Sequence, residues 1–528
     1  MRAQWAGSRA RGPRSPAGRG FAVSYAMVLC AALEGVAGQL VRVEADLAPG
    51  LPMVVLSGLP DTALNEARER VRAAITNSGE RWPQQRISIN LDPADLRKRG
   101  SSFDLPIALS ILGGTGTLPL AGLDGVLVLG ELGLDGSVRP VRGVLPMVAA
   151  AARHGVAKAI VPIRNAAEAA LVPGMRVLAA DTLGRVIGFL RGSCTLLEPP
   201  DAAPLPGRAE PDLADVAGQE MGRLGVELAA AGGHHLALFG PPGAGKTMLA
   251  RRLPSLLPQL DDEASLEVTA LHSIAGTLAP GEPLLRRPPY QAPHHTSSVA
   301  SLVGGGSGLA RPGALSLAHR GVLFLDEAPE FSRQALDTLR QPLEGGVVTL
   351  GRSRGVVVYP AQVQLVLAAN PCPCARPSGD AACACTPQVK RRYLGRVSGP
   401  LLDRIDIRLT LLPLKAAHLF TDASLRESSQ VVAQRVAVAR DTAATRWAGL
   451  GARCNGEVPG TVLRQRRWRL PDDVTGELRH RLDTGAMSAR GHDRVLRMAW
   501  TLSDLAGLDR PGKEEINIAL TLRDGGTL

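Results

Sequence analysis

Eight consecutive residues, Gly240, Pro241, Pro242, Gly243, Ala244, Gly245, Lys246 and Thr247, fit the pattern GxxxxGK[ST]. Glycines let backbone N–H groups turn toward an anion, the lysine adds a mobile positive charge, and the threonine hydroxyl is a ligand for a hard cation. Together they form a cradle for the phosphates of ATP, with Lys246 reaching the β- and γ-phosphates and Thr247 holding Mg²⁺. The pattern requires a strand before it and a helix after it. The apolar run His235–Phe239 and the helical stretch Met248–Leu257 supply both. A second group, Val322-Leu-Phe-Leu-Asp326-Glu327, places two carboxylates at the end of an apolar strand. There Asp326 can orient Mg²⁺ and Glu327 can polarise an attacking water. Taken alone, such a pair also serves to cap a helix; its company with the phosphate loop favours hydrolysis. A third run, Val363–Ala369, ends in Asn370, where an amide can orient water beside the γ-phosphate.

Other groups stand apart from these. Leu401-Leu-Asp-Arg404-Ile-Asp offers one arginine, and Arg490 and Arg494 lie on an expected helix. Cys372, Cys374, Cys383 and Cys385 fall on one loop, enough thiols for a tetrahedral structural Zn²⁺ site, with reduced or redox-active thiols as the other readings. His294 and His295 are adjacent and so point different ways, a poor metal pair, which favours a loop or structural role. The segment Val347–Tyr359 reads as a hairpin with Arg352 and Arg354 at its tip.

The elements that position these groups fall into blocks. Residues 1–20 read as a disordered basic extension, or as the product of an upstream start codon. Residues 21–197 alternate β-like runs (Leu51–Leu56, Arg86–Leu91, Gly125–Leu129) with helical patterns (Asp61–Ser78, Pro146–His154), giving a mixed α/β domain. Residues 198–213 carry five prolines and have linker composition. Residues 214–412 hold three buried-type strands of a parallel sheet, and residues 413–528 become an arginine-rich, all-helical lid, with patterns over Ser424–Arg446 and Val474–Arg481.

Composition narrows the class. With 528 residues, 45% of them hydrophobic, the chain can bury ordinary cores, and a net charge of +11 favours a polyanionic partner such as nucleic acid. No apolar run approaches the roughly 20 residues that cross a bilayer. Arg2, Arg9, Arg11, Arg14 and Arg19 before the apolar stretch Phe21–Leu33 imitate a secretory signal. The pattern continues through Val41, Val43, Ala45 and Leu47 as a strand, however, and a phosphate-loop ATPase needs cytosolic ATP, so a cytoplasmic protein is expected. Seven cysteines, four of them within one short loop, are no disulfide framework.

The order DVAGQE (215–220), GPPGAGKT, PGALSLAHRGVLFLDE (312–327), NPCPC (370–374) and SGPLLDRID (398–406) resembles the ComM/YifB family of magnesium-chelatase-like AAA+ ATPases. GLPDTALNEARERVRAAITNSG (58–79) and NLDPADLRKRGSSFDLPIALSIL (90–112) extend the likeness to nearly the whole chain. The resemblance implies an α/β fold: a Lon-protease-like N-terminal domain, a central AAA+ phosphate-loop domain and a C-terminal helical lid. It implies that Asn370 is sensor 1, that Arg404 is an arginine finger for a neighbouring copy, and that Arg490, in competition with Arg494, is sensor 2. A finger acting in trans implies a ring, a homo-hexamer. By the same likeness the insertion around His294 and His295 lines a central pore. The 347–359 hairpin would grip DNA through Arg352 and Arg354, a solvated turn being the alternative. In the first domain, Asp104 stands where a Lon-type serine is expected and Leu145 where its lysine is, and Ser101 and Ser102 have no evident base, so proteolysis is not expected. Trp500 and Asn517-Ile-Ala-Leu depart from the family pattern, which predicts altered packing in the lid. The function implied is an ATP-driven, Mg²⁺-dependent DNA motor, a branch-migration helicase of recombination or natural transformation. A motor subunit for metal insertion and a protein remodeller are the alternatives.

Overall fold

The computed structural model describes residues 24–57, 61–93, 101–199, 211–279, 283–306, 310–352, 355–376, 383–414 and 426–525. The N-terminal extension of residues 1–20 and most of the linker lie outside them.

The first body is built on a seven-stranded sheet. Its spatial order is Met53–Ser57, Arg86–Asp92, Ala37–Ala48, Tyr25–Glu34, Val126–Val128, Lys158–Pro162 and Arg176–Ala180. Tyr25–Glu34 and Ala37–Ala48 pair antiparallel from Tyr25↔Asp46 to Glu34↔Ala37, around a turn in which Gly35 takes φ +62°, a conformation open to glycine. From Tyr25 on, the apolar stretch is therefore the first strand. Val41, Val43, Ala45 and Leu47 face the core, as their alternation requires. Helix Asp104–Gly114 is apolar apart from Asp104 and Ser110 and buried along its whole length, so it lies inside the domain.

The second body carries a five-stranded parallel sheet in the order Tyr290–Gln291, Val322–Leu325, Gln364–Ala369, Leu236–Phe239, Ile407–Thr410. Three of these strands were expected; Tyr290–Gln291 and Ile407–Thr410 are additions at the two edges. Val322–Leu325 and Gln364–Ala369 are buried at every residue, as a sheet covered on both faces demands. The strand leading into the phosphate loop sits between the Asn370 strand and the last strand, so the loop opens over the carboxyl ends of the strands, where open α/β sheets bind ligands.

Helices Ser429–Arg446, Gly476–Asp483, Ala489–Leu505 and Lys513–Asp524 make up the C-terminal region. Their apolar faces share one core with Leu236, Leu249 and Ile407 of the sheet body. The other sheet face packs a separate core that includes Leu271, Leu302 and Leu336. Trp500 explains its departure from the family pattern by joining Trp447 and Trp468 in an aromatic cluster, with ring centroids 5.9 and 6.1 Å away. The Arg446 guanidinium lies 4.5 Å from the Trp500 ring centroid.

The two bodies touch through helix Asp262–Ala275. Gly143 N–H donates to Ser273 O (3.1 Å), and Glu168 receives Leu145 N–H (2.9 Å) and the Ser273 hydroxyl. Asp104 is 1% exposed and accepts from Arg70 Nε (2.8 Å) and Leu132 N–H (3.3 Å). Burial pushes its carboxyl up to about 6 against the pull of Arg70. Ser101 corrects one expectation, because its hydroxyl does have a carboxylate beside it, Glu131. Arg139 Nη1 lies 4.0 Å from the same Glu131 carboxylate.

Candidate nucleotide site

The phosphate loop follows Leu236–Phe239 and leads into helix Lys246–Leu256. Gly243 and Gly245 take φ +78° and +88°, and this turn aims successive N–H groups into the loop's concavity. Lys246 is 8% exposed. Its Nζ donates to Gly240 O (2.7 Å), Pro241 O (2.9 Å) and Asn370 Oδ1 (3.0 Å). Burial lowers its pKa, while Asp326 and Glu327 oppose that shift. Thr247 Oγ1 donates to Asp326 Oδ2 (2.7 Å). The two groups assigned to Mg²⁺ from sequence are therefore already side by side, and their hydroxyl and carboxylate oxygens suit that hard cation.

Glu327 has φ +51°, unusual for a residue with a Cβ. Its side chain makes no capping bond to the short helical turn Ala328–Glu330, and Asp326 Oδ1 accepts only its neighbour's N–H (3.0 Å). The helix-cap reading of the pair thus has no bond to rest on. Beyond the expected groups, His295 Nδ1 stands 3.3 Å from Glu327 Oε2, a contact that sequence reasoning missed.

The three arginines lie elsewhere. Asp406, Gln364, Gly321 and His235 mark the amino ends of the sheet strands and line a cleft of about 760 Å³ with Glu344 and Arg490. Arg404 Nη2 is 2.6 Å from Glu344 Oε1, and Arg490 Nη1 approaches the same oxygen at 3.8 Å. Arg404 is largely buried, while the Arg490 side chain is 69% exposed. Arg494 is committed differently: its Nη1 meets the buried Asp406 at 2.5 Å. Despite burial, Arg494 and the neighbouring His234 and His235 hold the Asp406 carboxyl well below its usual range, and burial pushes both histidines down to about 4. Arg494→Ala should therefore destabilise the fold by about 3–5 kcal/mol, the scale for stranding a buried charge; urea unfolding of the variant beside the parent measures it. Strand Leu236–Phe239 is four residues long, so about 13 Å of sheet separates this edge from the phosphate loop. Arg404 and Arg490 belong to the edge remote from their own loop.

Val347–Arg352 and Gly355–Pro360 do form a hairpin, registered from Val347↔Pro360 to Arg352↔Gly355. Arg352 ends its first strand; its side chain and Arg354 lie outside the described residues. The four loop thiols gather within 4.8 Å of one another, with Cys372 Sγ 3.1 Å from Cys374 Sγ and 3.4 Å from Cys383 Sγ. Tetrahedral zinc thiolates, with Zn–S near 2.3 Å, have sulfurs about 3.8 Å apart, so this donor set fits a closed structural site. Burial pushes the Cys372 thiol up to about 12, while its hydrogen bond with Cys372 holds Cys374 down to about 7.

Family models described as magnesium chelatase, subunit ChlI, match residues 212–419, with ChlI-subunit and ChlI C-terminal models over 43–165 and 426–523. The Escherichia coli protein YifB is 40% identical over 502 residues, 95% of this chain and 97% of YifB. The chain belongs to the ComM/YifB family of magnesium-chelatase-like AAA+ proteins. Within the family, competence protein ComM of Haemophilus influenzae is 38% identical over 490 residues, 92% of this chain and 94% of ComM. An uncharacterised Mycobacterium tuberculosis protein is 53% identical over 509 residues, 96% of this chain and 99% of its own. Lon protease 3 of Sorangium cellulosum is 29% identical over 155 residues, 28% of this chain and 18% of that protease, in keeping with a Lon-like domain in this family. No helix among the described residues is long and apolar enough to cross a membrane.

Proposed function

We propose that this ComM/YifB-family chain is an ATP-hydrolysing motor that acts on DNA as a ring of copies, a hexamer. The observation that carries the reading is the division of the site. Lys246, Thr247, Asp326, Glu327 and Asn370 gather at the carboxyl edge of one sheet, while Arg404 and Arg490 share Glu344 at the opposite edge. A finger at the remote edge can meet a γ-phosphate only across a contact between copies. In that contact the residues Gly240–Thr247 cradle the triphosphate, and Lys246 exchanges two loop carbonyls and Asn370 for phosphate oxygens. Thr247 and Asp326 hold Mg²⁺, which supplies charge neutralisation when bound. Glu327 takes a proton from the attacking water, Asn370 orients that water, and Arg404 of the neighbouring copy stabilises the charge that develops. Arg490 reads as sensor 2, because Arg494 is already spent on Asp406.

Net charge +11 and the hairpin carrying Arg352 and Arg354 support a DNA track, and ComM's name connects one relative to competence. Branch migration is the activity that fits best. The family models' own description favours a second reading, a motor for metal insertion. ATP turnover of the purified chain with and without single-stranded and forked DNA, beside Glu327→Gln, separates the two. Strong DNA stimulation that vanishes in the variant supports the motor; turnover indifferent to DNA sinks it and favours metal insertion.

We propose further that the four thiols hold one structural Zn²⁺. Elemental analysis of the purified protein should find about one zinc per chain. Cys372→Ser with Cys383→Ser should remove that zinc and lower the melting temperature, whereas zinc-free parent protein would contradict the assignment.

A further inference from the structure

Arg464-Gln-Arg466-Arg467-Trp468-Arg469 puts four arginines into six positions of one turn in the C-terminal region, between the buried Leu463 and Leu470. The turn is fixed from within. Gln465 N–H donates to Val462 O (3.0 Å), and the N–H groups of Trp468 and Arg469 both donate to Gln465 O (2.9 and 2.8 Å). The Trp468 ring packs 4.6 Å, centroid to centroid, from that of the buried Trp447, so the one aromatic of the turn faces the core while all four arginines are exposed. Two of the four have acidic partners, Arg464 with Asp493 and Arg469 with Asp472. Arg466 and Arg467 have no carboxylate partner among the described residues. The Arg467 guanidinium is held over the Trp468 ring, 4.6 Å from its centroid. Arg510, also exposed and without a carboxylate partner among the described residues, donates from Nη2 to Arg467 O (3.2 Å) and so brings a third such guanidinium to the turn.

We propose that Arg466, Arg467 and Arg510 form a second DNA contact, on the surface of the C-terminal region, that grips the phosphate backbone without reading sequence. The inference rests on the reading of the chain as a DNA motor and adds a contact apart from the hairpin. Like charges crowded onto one turn repel, and a guanidinium already held by a ring or a carbonyl gives up little freedom when it takes a phosphate. Its planar fork binds two phosphate oxygens at once, and DNA repeats that group at short intervals whatever the sequence. An anionic membrane would be met by apolar side chains beside the arginines. Here the aromatic ring is turned inward instead.

Binding of labelled forked DNA to the full chain over a range of salt concentrations tests the contact. Arg466→Gln combined with Arg467→Gln and Arg510→Gln should weaken binding about tenfold or more at physiological salt and flatten the slope of log affinity against log salt by about two to three, the sum of the lost phosphate contacts. Arg72→Gln combined with Arg153→Gln and Arg164→Gln removes the same charge from exposed positions of the first body and should bind within about twofold of the parent. Arg466 bonds to no other side chain among the described residues, so Arg466→Gln alone should leave the fold intact and still reduce the slope by about one. None of the three arginines lines the phosphate loop or the cleft that holds Arg490, and DNA-free ATP turnover should match the parent's. Parental DNA affinity in the first triple variant, or an equal loss in both triple variants, overturns the contact while leaving the motor standing. A parent that binds no DNA removes the DNA reading itself, so the two failures are distinct. Binding to phosphatidylglycerol vesicles that falls in the first triple variant while its DNA affinity is unchanged would assign the turn to a membrane and likewise overturn the proposal.

Discussion

Arg404→Ala is expected to lower ATP turnover by about a thousandfold or more, the scale of an arginine that stabilises phosphoryl transfer. In the structure this side chain is not a loose surface charge. Its Nη2 lies against Glu344, its Nη1 donates to Pro400 O (2.7 Å), and its Nε is buried without a partner. A guanidinium held in this way loses little freedom when it exchanges one carboxylate for a phosphate. The variant should still bind ATP, because every group of the phosphate loop lies at the other edge of the sheet. Equilibrium binding of a fluorescent ATP analogue beside steady-state turnover will show whether binding survives while hydrolysis is lost. Loss of both would place Arg404 in folding rather than in the reaction.

Glu327→Gln should abolish turnover by about 10²- to 10⁴-fold, the usual contribution of a positioned general base, and should leave the nucleotide trapped unhydrolysed. The substitution keeps size and removes basicity. Because the Glu327 side chain caps no helix, the melting temperature should hardly change. Nucleotide retained on the variant, measured by filter binding, distinguishes a lost base from a lost site. The contrast with Asp326 is instructive: Asp326 accepts from Thr247, so replacing it should weaken Mg²⁺ and nucleotide binding together.

The groups on the phosphate-loop edge were legible because each is local. A glycine-rich turn, a run of four apolar residues ending in Asp-Glu, and a strand ending in Asn each announce themselves within a few positions, and the parallel sheet then brings their carboxyl ends together. The edge strands were not legible for equally local reasons. Tyr290–Gln291 is two residues long, and Ile407–Thr410 buries only alternate residues, so neither shows the apolar run of a central strand. The contact of His295 with Glu327 was not legible because nothing in the neighbourhood of either residue points to the other. Likewise, Arg490 and Arg494 are equivalent by composition and helical spacing. Burial separates them, since Arg494 reaches Asp406 inside the protein while Arg490 remains exposed. Trp500 was flagged as a departure, and three-dimensional packing alone gives its reason, the cluster with Trp447 and Trp468.

The central claim is that one copy supplies the phosphate loop and its neighbour the finger. Mixing Lys246→Ala protein with Arg404→Ala protein, each inactive alone, and following ATP turnover against the mixing ratio tests it most directly. Activity that reappears in the mixtures and peaks near equal proportions is the result expected, because some contacts then join an intact loop to an intact Arg404. Mixtures as inactive as their components, or an Arg404→Ala protein as active as the parent, would contradict a site shared between copies.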